Sequence, residues 1–155
     1  MIFSRSTRYA IQALVLLAGQ PPGRYMRCRT LADRLQLPLP YLSKLMVRFA
    51  QAGLLDSSRG RAGGYRLRQP PDAIHLLQVA EVVSAGRVGR ECLLGLKNCS
   101  DDDACAMHCQ WQPVKQRLFA MLEDQNLERL AQGVTNGRYR LAELNLERFT
   151  GALDG

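Results

Sequence analysis

The chain has 155 residues, 46% of them hydrophobic and 23% charged, and a formal charge of +7. A chain of that length buries one core plus a small appended arm, and the composition excludes a disordered or collagen-like chain. The charge is unevenly spread: residues 1–70 hold 12 Lys and Arg against 2 Asp and Glu (+10), whereas residues 71–155 hold 9 against 12 (−3). An anionic partner is therefore expected for the front half alone.

No run approaches the ~20 apolar residues of a membrane-spanning helix. Arg5 and Arg8 before the apolar stretch Ala13 to Ala18 mimic an export leader. The stretch is short, broken at Gln12, and followed by no small-x-small site before Pro21-Pro22, so a folded helix and a cytoplasmic setting are expected. In that setting the five cysteines read as reduced thiols or ligands rather than as a disulfide framework.

Ser6 or Thr7 is expected to cap a first helix running to Ala18, with Ala10, Ile11, Leu14, Leu17 and Ala18 on its core face. Gly19 and Pro21-Pro22 end it. A connector, Gly23 to Arg29, contains Cys28, read as structural, and three arginines. Thr30-Leu-Ala-Asp33 resembles a capping box and predicts a two-turn helix through Leu35. After the break at Leu37-Pro38-Leu39-Pro40, a helix is predicted from Pro40 to Ala52, stopped by Gly53. Leu42, Leu45, Met46 and Phe49 form its inward stripe; Tyr41, Ser43, Lys44, Val47 and Arg48 face outward. Two short helices about a tight turn, the second basic on its outer face, make a helix-turn-helix pattern.

Leu54 to Ser58 and Tyr65 to Arg68 then read as a hairpin around the tip Arg59-Gly60-Arg61-Ala62-Gly63-Gly64. Glycine permits positive φ and close approach to a phosphate backbone, and arginine suits a narrow minor groove. The expected fold class is mainly α with a small β-wing: a winged helix-turn-helix over residues 1–86, where a short strand near Ile74 and a helix ending near Gly86 complete the core. Residues 87–110 form a cysteine-rich loop and 111–132 a long dimerisation helix. Its stripe of Trp111, Val114, Leu118, Met121 and Leu122 has little chain left to cover it, and a second copy would bury it. Residues 133–155 are a tail with only a weak pattern, Leu141, Leu144 and Leu146 to Phe149.

The loop carries the chemistry. Cys92, Cys99 and Cys105 are followed by His108 and Cys109. Thiolates clustered in one short segment favour an iron–sulphur cluster or zinc. Either His108 or Cys109, three and four residues after Cys105, can complete the site if that turn is helical. Histidine biases it toward [2Fe–2S], and a fourth thiolate is compatible with [4Fe–4S]. A thiol–disulfide switch without metal is the further alternative. Asp101-Asp102-Asp103 reads as a solvated turn, His75 as a hydrogen-bonded or exposed residue, and Trp111 as core. For DNA, Ser43 and Lys44 are candidates for base edges, Tyr41 and Arg48 for phosphates, and Arg59 and Arg61 for the minor groove. Arg5, Arg8, Arg27 and Arg29 are candidates for further backbone contacts.

Ser6-Thr7-Arg8-Tyr9-Ala10, the turn and helix through Tyr41-Leu42, Gly53-Leu54, and the wing Arg59-Gly60 with Gly63-Gly64-Tyr65 together resemble the Rrf-two family of bacterial winged-helix regulators. So do the three cysteines just before a long helix. The resemblance covers about residues 1–132. The family includes the iron–sulphur cluster regulator, the nitric-oxide-sensitive repressor and the iron-responsive repressor. It implies a homodimer on a palindromic duplex operator, holding a [2Fe–2S] or [4Fe–4S] cluster whose state sets which operators are bound. It also favours His108 as fourth ligand, and hence [2Fe–2S]. Some relatives draw a ligand from the partner's first helix near positions 8 and 12; here those are Arg8 and Gln12, neither of which suits the role. A metal carrier or assembly protein is the rival from another class, opposed by the two-arginine wing. No nucleophile–base–acid arrangement points to an enzyme.

Overall fold

The computed structural model describes residues 3–89, 92–97 and 99–138. Among the described residues, six helices and one hairpin follow in order: α1 (Arg5–Ala18), α2 (Cys28–Leu35), α3 (Leu39–Gln51), β1 (Leu55–Ser58), β2 (Gly64–Leu67), α4 (Leu76–Ser84), α5 (His108–Asp124) and α6 (Leu127–Thr135). The weak pattern expected between Leu141 and Phe149 lies outside the described residues.

Two helix starts differ from expectation. Helix α1 is capped by Ser4, whose side chain accepts from the Thr7 amide at 3.1 Å, so Ser6 and Thr7 lie inside the first turn. Helix α2 begins at Cys28, two residues before Thr30, and Thr30-Asp33 is therefore not a capping box. In both cases an earlier residue already has the extended backbone that a cap requires.

Helices α2 and α3 pack together around a turn in which Gln36 is left-handed at φ 54°. The Gln36 side-chain amide donates to the Asp33 carbonyl at 2.7 Å, and the Leu37 amide to that of Ala32 at 2.9 Å. Pro38 and Pro40 then suit the entry to α3, where missing amide hydrogens cost little. The inward stripe of α3 is as the spacing predicts: Leu42, Met46 and Phe49 are wholly buried and Leu45 nearly so. They join Leu14, Val15, Leu31, Leu55, Ile74 and Val79 in one core. Truncating Phe49 to alanine there would cost about 3–5 kcal/mol.

The wing is a two-stranded antiparallel sheet in the register Leu55–Leu67, Asp56–Arg66, Ser57–Tyr65, Ser58–Gly64. Met26 in the connector adds a bridge, exchanging main-chain hydrogen bonds with Tyr65 at 2.9 Å each way. Ile74 lies in no strand; a 3₁₀ turn, Pro71–Ala73, precedes it. A single bridge, His75 to Asn126, replaces the expected strand. The Leu76 amide donates to Gln125 and the Leu127 amide to Ile74, at 2.9 and 3.0 Å, which fastens the α5–α6 junction to the start of α4. Helix α1 packs on both α4 and α6, and α5 packs on α4.

Candidate metal centre and nucleic-acid interface

Helix α5 starts at His108 rather than at Trp111, so His108 and Cys109 both stand in its first turn. Cys105 lies just outside, its carbonyl accepting from the His108 amide at 2.9 Å. The two fourth-ligand candidates differ sharply. His108 is buried and its Nδ1 lies 3.6 Å from Cys99 Sγ, whereas Cys109 is exposed.

Cys92 and Cys105 form the other couple, close enough for each thiol to shift the other's titration. The Leu94 amide, foremost, with the amides of Leu96 and Gly95 and the Cys105 thiol, outweighs burial and holds the Cys92 thiol below its usual value. The same contact, foremost, with burial and the neighbouring Cys92 and Cys99 charges, pushes Cys105 up against the opposing Met107 amide. The two thiols are thus pushed apart, Cys92 down and Cys105 up.

Cys92, Cys99, Cys105 and His108 thus stand as two couples within one loop. Among the described residues, no three His, Cys, Asp or Glu side chains are gathered closely enough to hold one metal ion. The donor chemistry nevertheless fits a soft metal or an iron–sulphur cluster: three thiols, one held below its usual value by backbone amides, and an imidazole nitrogen turned toward Cys99.

Sequence reasoning missed one residue here. Asp101, read as part of a solvated turn, places Oδ1 2.8 Å from His108 Nε2, and Gln112 Nε2 lies 3.1 Å from the same nitrogen. The only available signal was the acidic run itself, because six residues of loop and turn separate the partners.

The DNA-facing candidates divide by what they already hold. Lys44, Arg59 and Arg61 are exposed. Tyr41 is exposed, yet its hydroxyl lies 2.7 Å from Ser6 Oγ and its ring sits edge-on to Tyr9 at 6.0 Å, tying α3 to α1. Ser43 is half-buried, with Oγ 3.4 Å from Cys28 Sγ. Arg48 donates from Nη2 to the carbonyls of Val82 and Val83, both at 3.0 Å. In this arrangement its guanidinium serves the end of α4 instead of standing free.

The wing glycines also answer to the chain itself. A Cβ on Gly63 would meet the carbonyl of Ser58 and the backbone of Arg59, and one on Gly64 would meet the Met26–Arg27 backbone. Close approach is needed there, to this chain's own backbone. Arg27 donates to the Arg61 carbonyl, bracing the tip. At the base, Asp56 takes Arg68 at 2.8 Å and Arg66 at 3.2 Å, and Arg66 lies over the Tyr25 ring at 4.7 Å.

On α5 the apolar stripe divides. Leu122 is buried in the chain's own core, while Val114 and Met121 are 53% and 52% exposed and Trp111 and Leu118 half-buried. Trp111 Nε1 is buried with no hydrogen-bond partner among the described residues. No described helix is long and apolar enough to cross a membrane.

The family profile described as Rrf2, iron-dependent transcriptional regulator, matches residues 3–133. The HTH-type transcriptional regulator IscR of Xenorhabdus nematophila is 28% identical over 123 residues, covering 79% of this chain and 74% of that protein. The structure of CymR, the global cysteine regulator of B. subtilis, superposes with a TM-score of 0.70 at 26% identity, over 84% of this chain and 95% of that one. T. potens IscR superposes with a TM-score of 0.69 at 24% identity, over 89% and 91%. A winged helix with an arginine-bearing wing, matched over this length, identifies the chain as a DNA-binding member of the Rrf2 family of transcriptional regulators.

Proposed function

We propose that this regulator works as a homodimer on a palindromic duplex operator, and that Cys92, Cys99, Cys105 and His108 hold an iron–sulphur cluster, [2Fe–2S] in preference to [4Fe–4S]. The observation that carries the reading is the turn of the buried His108 Nδ1 toward Cys99, 3.6 Å away, while Cys109 stays exposed. Such a cluster supplies one-electron chemistry and reactivity toward oxidants and nitric oxide. The chain's part is to hold the ligands. Amides at Leu94, Leu96 and Gly95 stabilise the Cys92 thiolate, and the first turn of α5 carries the imidazole.

The same helix supports the dimer. Trp111, Val114, Leu118 and Met121 recur at intervals of three, four and three residues, the spacing of a two-helix seam. The second copy would cover the exposed Val114 and Met121. On DNA, α3 lies in the major groove with Lys44 at base edges and Ser43 and Tyr41 beside it. Arg59 and Arg61 enter the minor groove from the wing. A change in the loop reaches α3 through α4, which packs on both α3 and α5.

A thiol–disulfide switch without metal is the second reading, favoured by the nearness of Cys105 to Cys92, whose thiol backbone amides hold below its usual value. Zinc on the same donors is a third outcome of one experiment. Iron, sulphide and zinc are counted, and an absorption spectrum recorded, for anaerobically purified wild type, His108→Ala and Cys109→Ser. Iron and sulphide present in wild type and Cys109→Ser but lost from His108→Ala support the proposal. Loss confined to Cys109→Ser overturns the ligand choice, and a metal-free protein with an oxidant-dependent Cys92–Cys105 bond establishes the switch.

A further inference from the structure

We propose that Asp101 is the positioning residue that aims His108 Nδ1 at the metal site; the role in ligation rests on the cluster reading above. The geometry is specific. Asp101 Oδ1 lies 2.8 Å from His108 Nε2, and a carboxylate can only accept, so Nε2 bears the hydrogen. Nδ1 is then left with its lone pair, and it is Nδ1 that faces Cys99 Sγ at 3.6 Å. The thiol hydrogen of Cys99 thus occupies the direction a metal would take, and metal binding would release that proton.

Three restraints act on one ring. The His108 amide is bonded to the Cys105 carbonyl at 2.9 Å. Gln112, one helical turn along, lies with its side-chain nitrogen 3.1 Å from Nε2; with the hydrogen committed to Asp101, the Gln112 amide must be turned to bring its oxygen to this position. The carboxylate completes the set. Metal-bound histidines commonly donate their remote N–H to such a group, which fixes tautomer and ring orientation and makes the ligating nitrogen more electron-rich.

Neighbouring carboxylates supply the contrast. Asp102 and Asp103 carry the same charge in the same turn, yet among the described residues it is Asp101 that pairs with His108; the Asp103 main chain bonds Ser100 Oγ at 3.3 Å. The imidazole is 6% exposed and the Asp101 side chain 91%. Asp101 can therefore be replaced without disturbing the core, and its effect can be separated from that of bulk charge.

The test has two arms. In the metal-free chain, side-chain ¹⁵N shifts followed across a pH series report the tautomer of the neutral ring, with His75, the other of the two histidines, as internal reference. The expected result is Nε2–H at His108 in wild type and Asp102→Ala, and a shift toward mixed tautomers in Asp101→Ala. An Nδ1–H wild type, or no change in Asp101→Ala, overturns the inference whether or not the chain binds metal.

In protein reconstituted with iron and sulphide, iron release to a chelator is expected to quicken about tenfold or more in Asp101→Ala. It should return toward wild type in Asp101→Glu and stay unchanged in Asp102→Ala. Equal rates in wild type and Asp101→Ala, or equal acceleration in both alanine variants, overturn the positioning role. A wild-type chain that takes up no iron strikes the metal-site reading itself, and the ligation role of Asp101 with it, even where the tautomer result stands.

Discussion

Arg48 of α3 donates from Nη2 to the main-chain carbonyl of Val83 at 3.0 Å, and equally to that of Val82. These carbonyls belong to the last turn of α4, which ends at Ser84 and leads into the cysteine loop. A cation there also complements the helix dipole. Arg48→Ala should lower stability by roughly 0.5–1.5 kcal/mol in urea denaturation and leave the salt dependence of duplex binding unchanged. A slope reduced by about one would return Arg48 to the phosphate-holding role expected from its place on α3.

Arg59 stands free at the wing tip, whereas Arg66 is committed to Asp56 and Tyr25. Arg59→Ala should therefore weaken duplex binding and reduce the salt slope by about one, and Arg66→Ala should leave the slope as it is. Fluorescence anisotropy across a salt series distinguishes them. A larger loss from Arg66→Ala than from Arg59→Ala would contradict the assignment of the tip as the DNA contact.

At the base of the wing, the hydrogen bond from Arg68, foremost, with the one from Arg66 and the charge of both arginines, outweighs desolvation and lowers the Asp56 carboxyl from its usual value. A carboxylate with a depressed folded-state pKa contributes stability above its unfolded pKa of about 3.9 and loses it as pH falls through the folded value. Asp56→Asn should thus be less stable than wild type at neutral pH, with the gap closing on strong acidification. Thermal melts across that range check the sign; a gap that widens in acid refutes it.

Much of this was legible from residue spacing. Period-3.6 apolar stripes identify α1 and α3, an aliphatic run before Gly86 identifies α4, and a glycine-rich tip bearing two arginines identifies the wing. These features depend on which face meets a core, and spacing reports that directly. Ser4 as a cap, the Arg48 contact with α4 and the Asp101–His108 pair were not legible. Each depends on a backbone path or a helix crossing that leaves no periodic trace. The α5 stripe was half legible: the heptad interval was plain, but Leu122 turns into the chain's own core, which only the packing of α5 against α4 decides.

Val114 and Met121 are the exposed members of that stripe, seven residues apart on α5. Glutamate at both positions should leave the monomer folded, since neither side chain enters its core, and should shift sedimentation from dimer to monomer. Operator binding should fall with it, because two half-sites are then no longer held about 34 Å apart. An unaltered dimer would place the interface elsewhere.

On the proposed reading, the state of the Cys92–His108 segment governs DNA binding by α3 and the wing. The most direct measurement is operator affinity by gel shift, on one anaerobic preparation assayed as iron-loaded protein, after chelation, and after oxidant. The account predicts a coloured, iron- and sulphide-containing protein whose affinity changes when the iron is lost or oxidised. A colourless, iron-free protein that binds its operator equally in all three conditions would contradict it.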